Sequence, residues 1–207
     1  MDNDVNSHPL PTIDFWFEFG SNYSYLSAMR IEEAAAQRGV TVNWRPFLLG
    51  PIFQSFGWNS SPFVLQQAKG VYVWKDMQRQ CSKYGIPWRM PAVFPRPATI
   101  PMKVAAAFAG EPWIGRYCRT FMTKNFALDE DINSLEQVSK VLAEIGVDAQ
   151  DVIDAAFADD RKNLLREATA EAQAKGVFGA PMFFVRGEMF WGNDRLDDAL
   201  AFAGVPA

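Results

Sequence analysis

The feature that most constrains this chain is its opening, in which two alternating strand patterns flank a single helical stretch. Ile13, Phe15, Phe17 and Phe19 alternate with Asp14, Trp16 and Glu18, the period of a strand with at least one buried face. Gly20 ends that run. From Ser21 the periodicity becomes helical, apolar at first (Leu26, Ala28, Met29, Ile31) and then polar (Glu32, Glu33, Gln37, Arg38), with Gly39 as a C-terminal cap. Val40, Val42 and Trp44 then alternate with Thr41, Asn43 and Arg45, and Pro46 limits how far this second strand runs. A strand-helix-strand connection of this kind makes a right-handed crossover, so these two strands are expected to lie parallel in one sheet.

From about Pro62 to Lys175 helix signals dominate. Ser134 with Gln137 reads as a capping box, followed by the stripe Leu135, Val138, Leu142, Ile145 and closed by Gly146. Another helix follows Asp160, with Leu164, Leu165, Ala168 and Ala172 inward and Gly176 at its end. The Pro- and aromatic-rich stretch Ile86 to Pro101 reads as a loop of defined shape. Strand character returns at Met182 to Val185 and Met189 to Trp191, and Arg186-Gly187 between them suggests a hairpin turn. Asn193 or Asp194 can cap a last helix that carries Leu196, Ala199, Leu200 and Ala203 on one face and has Gly204 after it.

Composition narrows the chemistry. With 207 residues, 49% of them hydrophobic, the chain can fill one large core or two small ones. Its 20 Lys and Arg against 24 Asp and Glu give a net charge of −4, which argues against a nucleic-acid partner. No apolar run approaches the roughly 18 residues of a membrane span. The polar stretch Met1 to Leu10 lacks the pattern of a signal peptide, so a cytoplasmic protein is expected. Cys81 and Cys118 are the only cysteines, too far apart for a Cys-x-x-Cys, and no metal site is expected. The single histidine, His8, lies in the N-terminal tail, which excludes a Ser-His-Asp triad or a Cys-His pair from the body. Any catalysis must draw on hydroxyls, carboxylates, backbone dipoles or a borrowed cofactor.

Several stretches carry a family resemblance: Asp14-Phe15 through Ser21-x-Tyr23-Ser24-Tyr25, Phe47-Leu48-Leu49-Gly50, and Tyr84-Gly85-Ile86-Pro87. The most specific are Val177-Phe178-Gly179-Ala180-Pro181 and Trp191-Gly192-Asn193-Asp194-Arg195-Leu196. In order and spacing they resemble the 2-hydroxychromene-2-carboxylate isomerase and kappa-class glutathione transferase branch of the DsbA-like thioredoxin superfamily. The resemblance implies an α/β, thioredoxin-like fold (β-α-β, then β-β-α) with a large all-helical domain inserted between its halves. Residues 11–50 and 176–207 would form the glutathione-binding domain, 51–175 the helical insertion, and 1–10 a flexible tail. It also implies a cis Pro181 facing the N-terminus of the first helix. Where thiol oxidoreductases of this fold hold Cys-x-x-Cys, the chain reads Ser21-Asn22-Tyr23-Ser24, so disulfide exchange there has no thiolate to use.

What the resemblance implies for the site is a cofactor that brings its own nucleophile. Ser21 would be the catalytic hydroxyl beside the sulfur of bound glutathione, at a helix N-terminus that favours negative charge. Ala180 would pair with the cysteinyl backbone like an added strand. Trp191, Gly192, Asn193 and Asp194 would receive the γ-glutamyl end, with Arg195 assisting. The implied reaction is cis-trans isomerisation of an aromatic-degradation intermediate by reversible thiolate addition, in a homodimer. Phe53, Phe63 and Phe94 stand where isomerases of this kind hold their substrate with a Lys, an Asn and a Tyr. A substrate carboxylate would then fall to Asn59, Lys75, Arg79, Arg89 or Arg96. Asn22 replaces the proline common after the active serine, a change that a first helical position tolerates. Two other readings stay open: a kappa-like glutathione transferase acting on an apolar electrophile, and a non-catalytic module that holds an extended peptide at the Pro181 edge. Ser21 and Asp194 also read as plain helix caps.

Overall fold

The structure is a computed structural model that describes residues 10–204; His8 and all of the expected N-terminal tail except Leu10 lie outside the described residues. Strand β1 (Thr12–Phe17) runs parallel to β2 (Thr41–Pro46), with Thr12 opposite Thr41 and Phe17 opposite Pro46. Between them come α1 (Asn22–Ala28) and α2 (Ile31–Ala36). Strand β3 (Met182–Val185) joins β1 antiparallel, placing Phe183 opposite Phe15, and β4 (Glu188–Trp191) closes the edge. The sheet order is β2-β1-β3-β4. This is the thioredoxin-like order expected from the sequence, with helices between β2 and β3.

Those helices are α3 (Leu49–Ser55), α4 (Pro62–Leu65), α5 (Gln67–Tyr84), α6 (Thr99–Ala107), α7 (Ile114–Phe126), α8 (Leu135–Glu144), α9 (Ala149–Phe157) and α10 (Leu164–Ala174). A final helix, α11 (Leu196–Gly204), packs on the sheet. Helices cover both faces of β1, which explains why its alternation is hydrophobic on both sides. Phe15 stacks on Phe183 at 5.5 Å between ring centres and meets Trp44 edge-on at 5.2 Å. On the opposite face Trp16, fully buried, meets Phe47 edge-on and packs with Met182 and Ala172. Phe19 stacks on Phe121 of α7 at 5.4 Å, so the core below the sheet continues into the helices.

The structure departs from the sequence reading in several places. The single helix expected from Ser21 to Gly39 is broken at Met29–Arg30 into α1 and α2. Arg30 is the pivot: its guanidinium lies 3.8 Å from the Tyr84 ring centre, bonds Asn193 Oδ1 and pairs with Asp197. The capping box at α8 is half made. Ser134 Oγ accepts the Gln137 N–H, but the Gln137 side chain donates to Glu130 instead of returning, and Leu135 is exposed rather than inward. The loop expected from Ile86 to Pro101 stops at Ala98, since α6 takes Pro101 into its first turn, where a missing N–H costs nothing. The second strand of the hairpin begins at Glu188, one residue earlier than expected, and Arg186 and Gly187 both have positive φ, the signature of a type I′ turn. Asn193–Arg195 form a short 3-10 turn before α11, with no side-chain cap, and Gly204 is the helix's last residue.

Candidate active site

Ser21 caps α1. Its Oγ accepts the Ser24 N–H at 3.2 Å and donates to the Ala180 carbonyl at 3.1 Å, across 159 residues of sequence. Ala180-Pro181 is a cis peptide, and the Gly192 N–H donates to the Pro181 carbonyl at 3.0 Å, which ties the end of β4 to the same corner. Two glycines are needed here. Gly192 has φ +106, and a Cβ on it would lie 2.5 Å from Asp194 Oδ1, so only glycine lets that carboxylate fold back over the turn. A Cβ on Gly179 would lie 2.7 Å from Trp191 Nε1, so the indole rests directly on the backbone there.

These groups open into one cavity of about 1240 Å³. Pockets for drug-sized ligands span roughly 300–1,000 Å³, so there is room for a tripeptide and a second molecule together. The cavity brings together Ser21, Ala180, Trp191, Gly192, Asn193 and Asp194, the residues expected to bind a cofactor, with Phe53, Asn59, Phe63 and Phe94, those expected to face a substrate. The far wall is aromatic: Phe53 lies against Trp58, and Phe63 against Phe94 and Tyr23.

The polar candidates fare differently. Lys75, Arg79 and Arg89 are not among the cavity's lining residues. Arg96 is, but its guanidinium is already engaged by Asn125 Oδ1 and the Asp129 carboxylate and is almost fully buried. Asn193 turns its side chain away to accept from Ser27 Oγ and Arg30. Asp194 stays exposed, paired with Arg195 at 3.1 Å.

Among the polar groups of the cavity that sequence reasoning missed, three stand out. Lys69 of α5 lines it, and Tyr23 donates its hydroxyl to Asp76 at 2.7 Å, burial and that acceptor pushing the phenol far above its usual range. The third is Glu18, whose carboxyl burial pushes up to about 7 although a bond from the Leu49 backbone opposes the shift. Alternation along β1 assigns Glu18 to an ordinary polar position, and only the turn at Gly20 brings it to the cavity. Both cysteines are free and buried: burial lifts the Cys81 thiol to about 11 and Cys118 well above its usual value, so neither offers a thiolate near neutrality.

The Glu18 shift has a measurable sign. Unfolded, a glutamate loses its proton near pH ~4.3; folded, Glu18 keeps it to about 7. The folded state therefore binds more protons in that window, and this group's contribution to stability falls as pH rises through it. The unfolding midpoint of Glu18→Gln in urea, relative to wild type, is expected to rise between pH 5 and pH 8. A difference that stays flat across that range would refute the shift.

Fold and site together define a class, a thioredoxin-type scaffold in which a serine hydroxyl takes the corner used elsewhere by a cysteine pair. The chain belongs to the DSBA-like thioredoxin domain family, which it matches over residues 12–202. It is 29% identical over 188 residues to a 2-hydroxychromene-2-carboxylate isomerase of Sphingobium xenophagum, covering 90% of this chain and 94% of the relative. It is 26% identical over 200 residues to glutathione S-transferase kappa 1 of Caenorhabditis elegans, covering 90% and 88%. A solved structure of a 2-hydroxychromene-2-carboxylate isomerase superposes with a TM-score of 0.83 over 93% of this chain and 94% of that one, at 24% identity.

Proposed function

We propose that the protein is a glutathione-dependent isomerase of the 2-hydroxychromene-2-carboxylate type, acting on a small aromatic substrate as a cytoplasmic homodimer. The observation that carries this reading is the Ser21 Oγ to Ala180 carbonyl bond at the end of a cavity large enough for two ligands. The pair suits a peptide thiol. A cysteinyl amide N–H would take over the Ala180 carbonyl, which frees the Ser21 hydroxyl to donate to sulfur while it still accepts the Ser24 N–H. Gly192 and Asp194 would hold the γ-glutamyl end, with the Asp194 carboxylate facing its ammonium group. Bound glutathione would supply a thiolate able to add reversibly to a conjugated double bond and so permit rotation about it. The aromatic wall of Phe53, Phe63 and Phe94 would stack the substrate ring and exclude water. Relatives named as isomerases and kappa transferases support the same reading.

The transferase alternative has one observation in its favour: the wall is apolar and the cavity's Arg96 is spent on Asp129, which suits an uncharged electrophile. Product analysis separates the two, since an isomerase returns glutathione and a transferase consumes it. Calorimetric titration of reduced glutathione into the wild-type protein is expected to give saturable one-to-one binding. No heat at millimolar ligand would overturn both readings.

A further inference from the structure

Three carboxyl groups are among the residues lining the cavity, and two have partners. Asp76 on α5 accepts from the Tyr23 hydroxyl and from Gln80, and Asp194 pairs with Arg195. Glu18 has neither a cation nor a side-chain donor among the described residues. It sits three residues before Ser21, and its backbone carbonyl accepts the Ser21 N–H at 3.0 Å, so the carboxyl and the capping hydroxyl hang from one tight turn. Its Oε2 lies 3.9 Å from where a Cβ on Gly20 would be, and both residues line the cavity.

The neighbours leave the carboxyl's charge to solvent and ligand. Helix α3, whose Leu49 N–H bonds it, contains no ionisable side chain. The remaining charged or titratable lining groups are Tyr23 on α1, Lys69 and Tyr72 on α5, Arg96, which turns to Asp129, and Arg195, which pairs with Asp194 and Asp198. None of them is among the causes of the Glu18 shift, which come from burial and the Leu49 N–H alone.

We propose that Glu18 is the proton acceptor for the glutathione thiol in this cavity, a role that rests on the glutathione reading above. As the sulfur settles beside Ser21, the S–H bond breaks with its electron pair left on sulfur, and an O–H bond forms on the Glu18 carboxylate. Negative charge thus moves from oxygen to sulfur with no net change in the cavity and no other reactant. The proton returns to sulfur when glutathione leaves. An acceptor that titrates near neutrality suits this exchange, because it is ionised often enough to take a proton and basic enough to keep it.

The test counts protons. Reduced glutathione is titrated into wild-type protein in buffers of different ionisation enthalpy, with S-methylglutathione as a control lacking the thiol proton and ultraviolet absorbance measuring thiolate formed. Because burial raises the free carboxyl toward neutrality, wild type is expected to release close to one proton per thiolate at pH 6, where Glu18 already holds its own, and clearly fewer at pH 8, where the ionised carboxylate takes up the thiol proton. Glu18→Gln is expected to release about one at both. A wild-type value near one at pH 8, with thiolate present, overturns the role of Glu18 and leaves the glutathione reading standing. Absence of binding or of thiolate removes both. Because the wild-type trend decides by itself, a poorly folded Glu18→Gln does not rescue the proposal.

Discussion

On the isomerase reading proposed above, replacing Ser21 by alanine is expected to lower glutathione-dependent turnover of 2-hydroxychromene-2-carboxylate by about 10²–10³-fold, the usual cost of losing one preorganised donor to a developing anion. The effect should fall on kcat. The backbone of Ala180 and the Gly192–Asp194 turn that would hold glutathione do not depend on the hydroxyl, so KM for glutathione should change only a few-fold. The same hydroxyl caps α1, and losing a cap costs about 1 kcal/mol, so the variant should remain folded with a slightly lower unfolding midpoint. Ser21→Thr keeps both the donor and the cap and should recover much of the activity. A Ser21→Ala enzyme within two-fold of wild type would reduce Ser21 to a structural cap.

The parts of this molecule legible in its sequence are those set by local periodicity. Strands β1 and β2 declare themselves by alternation, and the hairpin by two apolar runs around Arg186-Gly187. Ser21 and Pro181 lie far apart in the chain, yet the strand order alone brings the start of α1 and the start of β3 to the same end of adjacent strands. What was hidden depends on tertiary partners. Nothing local breaks the helix at Met29–Arg30; the break follows from Arg30 reaching to Tyr84, Asn193 and Asp197. Glu18 looks like the polar half of an alternating strand until the Gly20 turn and the α3 N-terminus enclose it. Arg96 looks like a free cation for a substrate carboxylate until Asp129 claims it.

That claim makes Asp129→Ala the substitution with the largest expected effect on stability, a loss of about 3–5 kcal/mol, because it leaves a buried guanidinium without its counter-charge. The Arg96 side chain is 8% exposed and Asp129 14%, so water does little to replace the lost partner. The damage should spread along named bonds. Asp129 Oδ1 also accepts the Ala92 N–H at 2.9 Å, and Arg96 Nε donates to Asn125, whose Nδ2 donates to the Phe19 carbonyl next to the Gly20-Ser21 turn. One carboxylate thus anchors the Pro-rich loop to α7 and, through Asn125, braces the turn that carries Ser21 and Glu18. Asp129 also has φ +58, a conformation asparagine adopts readily and alanine does not. Asp129→Asn should therefore lose less than alanine, and the double substitution Arg96→Met with Asp129→Leu should recover part of the loss by removing both charges. Urea unfolding of the four proteins measures this directly, and an Asp129→Ala loss below about 1 kcal/mol, the scale of a surface pair, would show that the pair is not buried in solution.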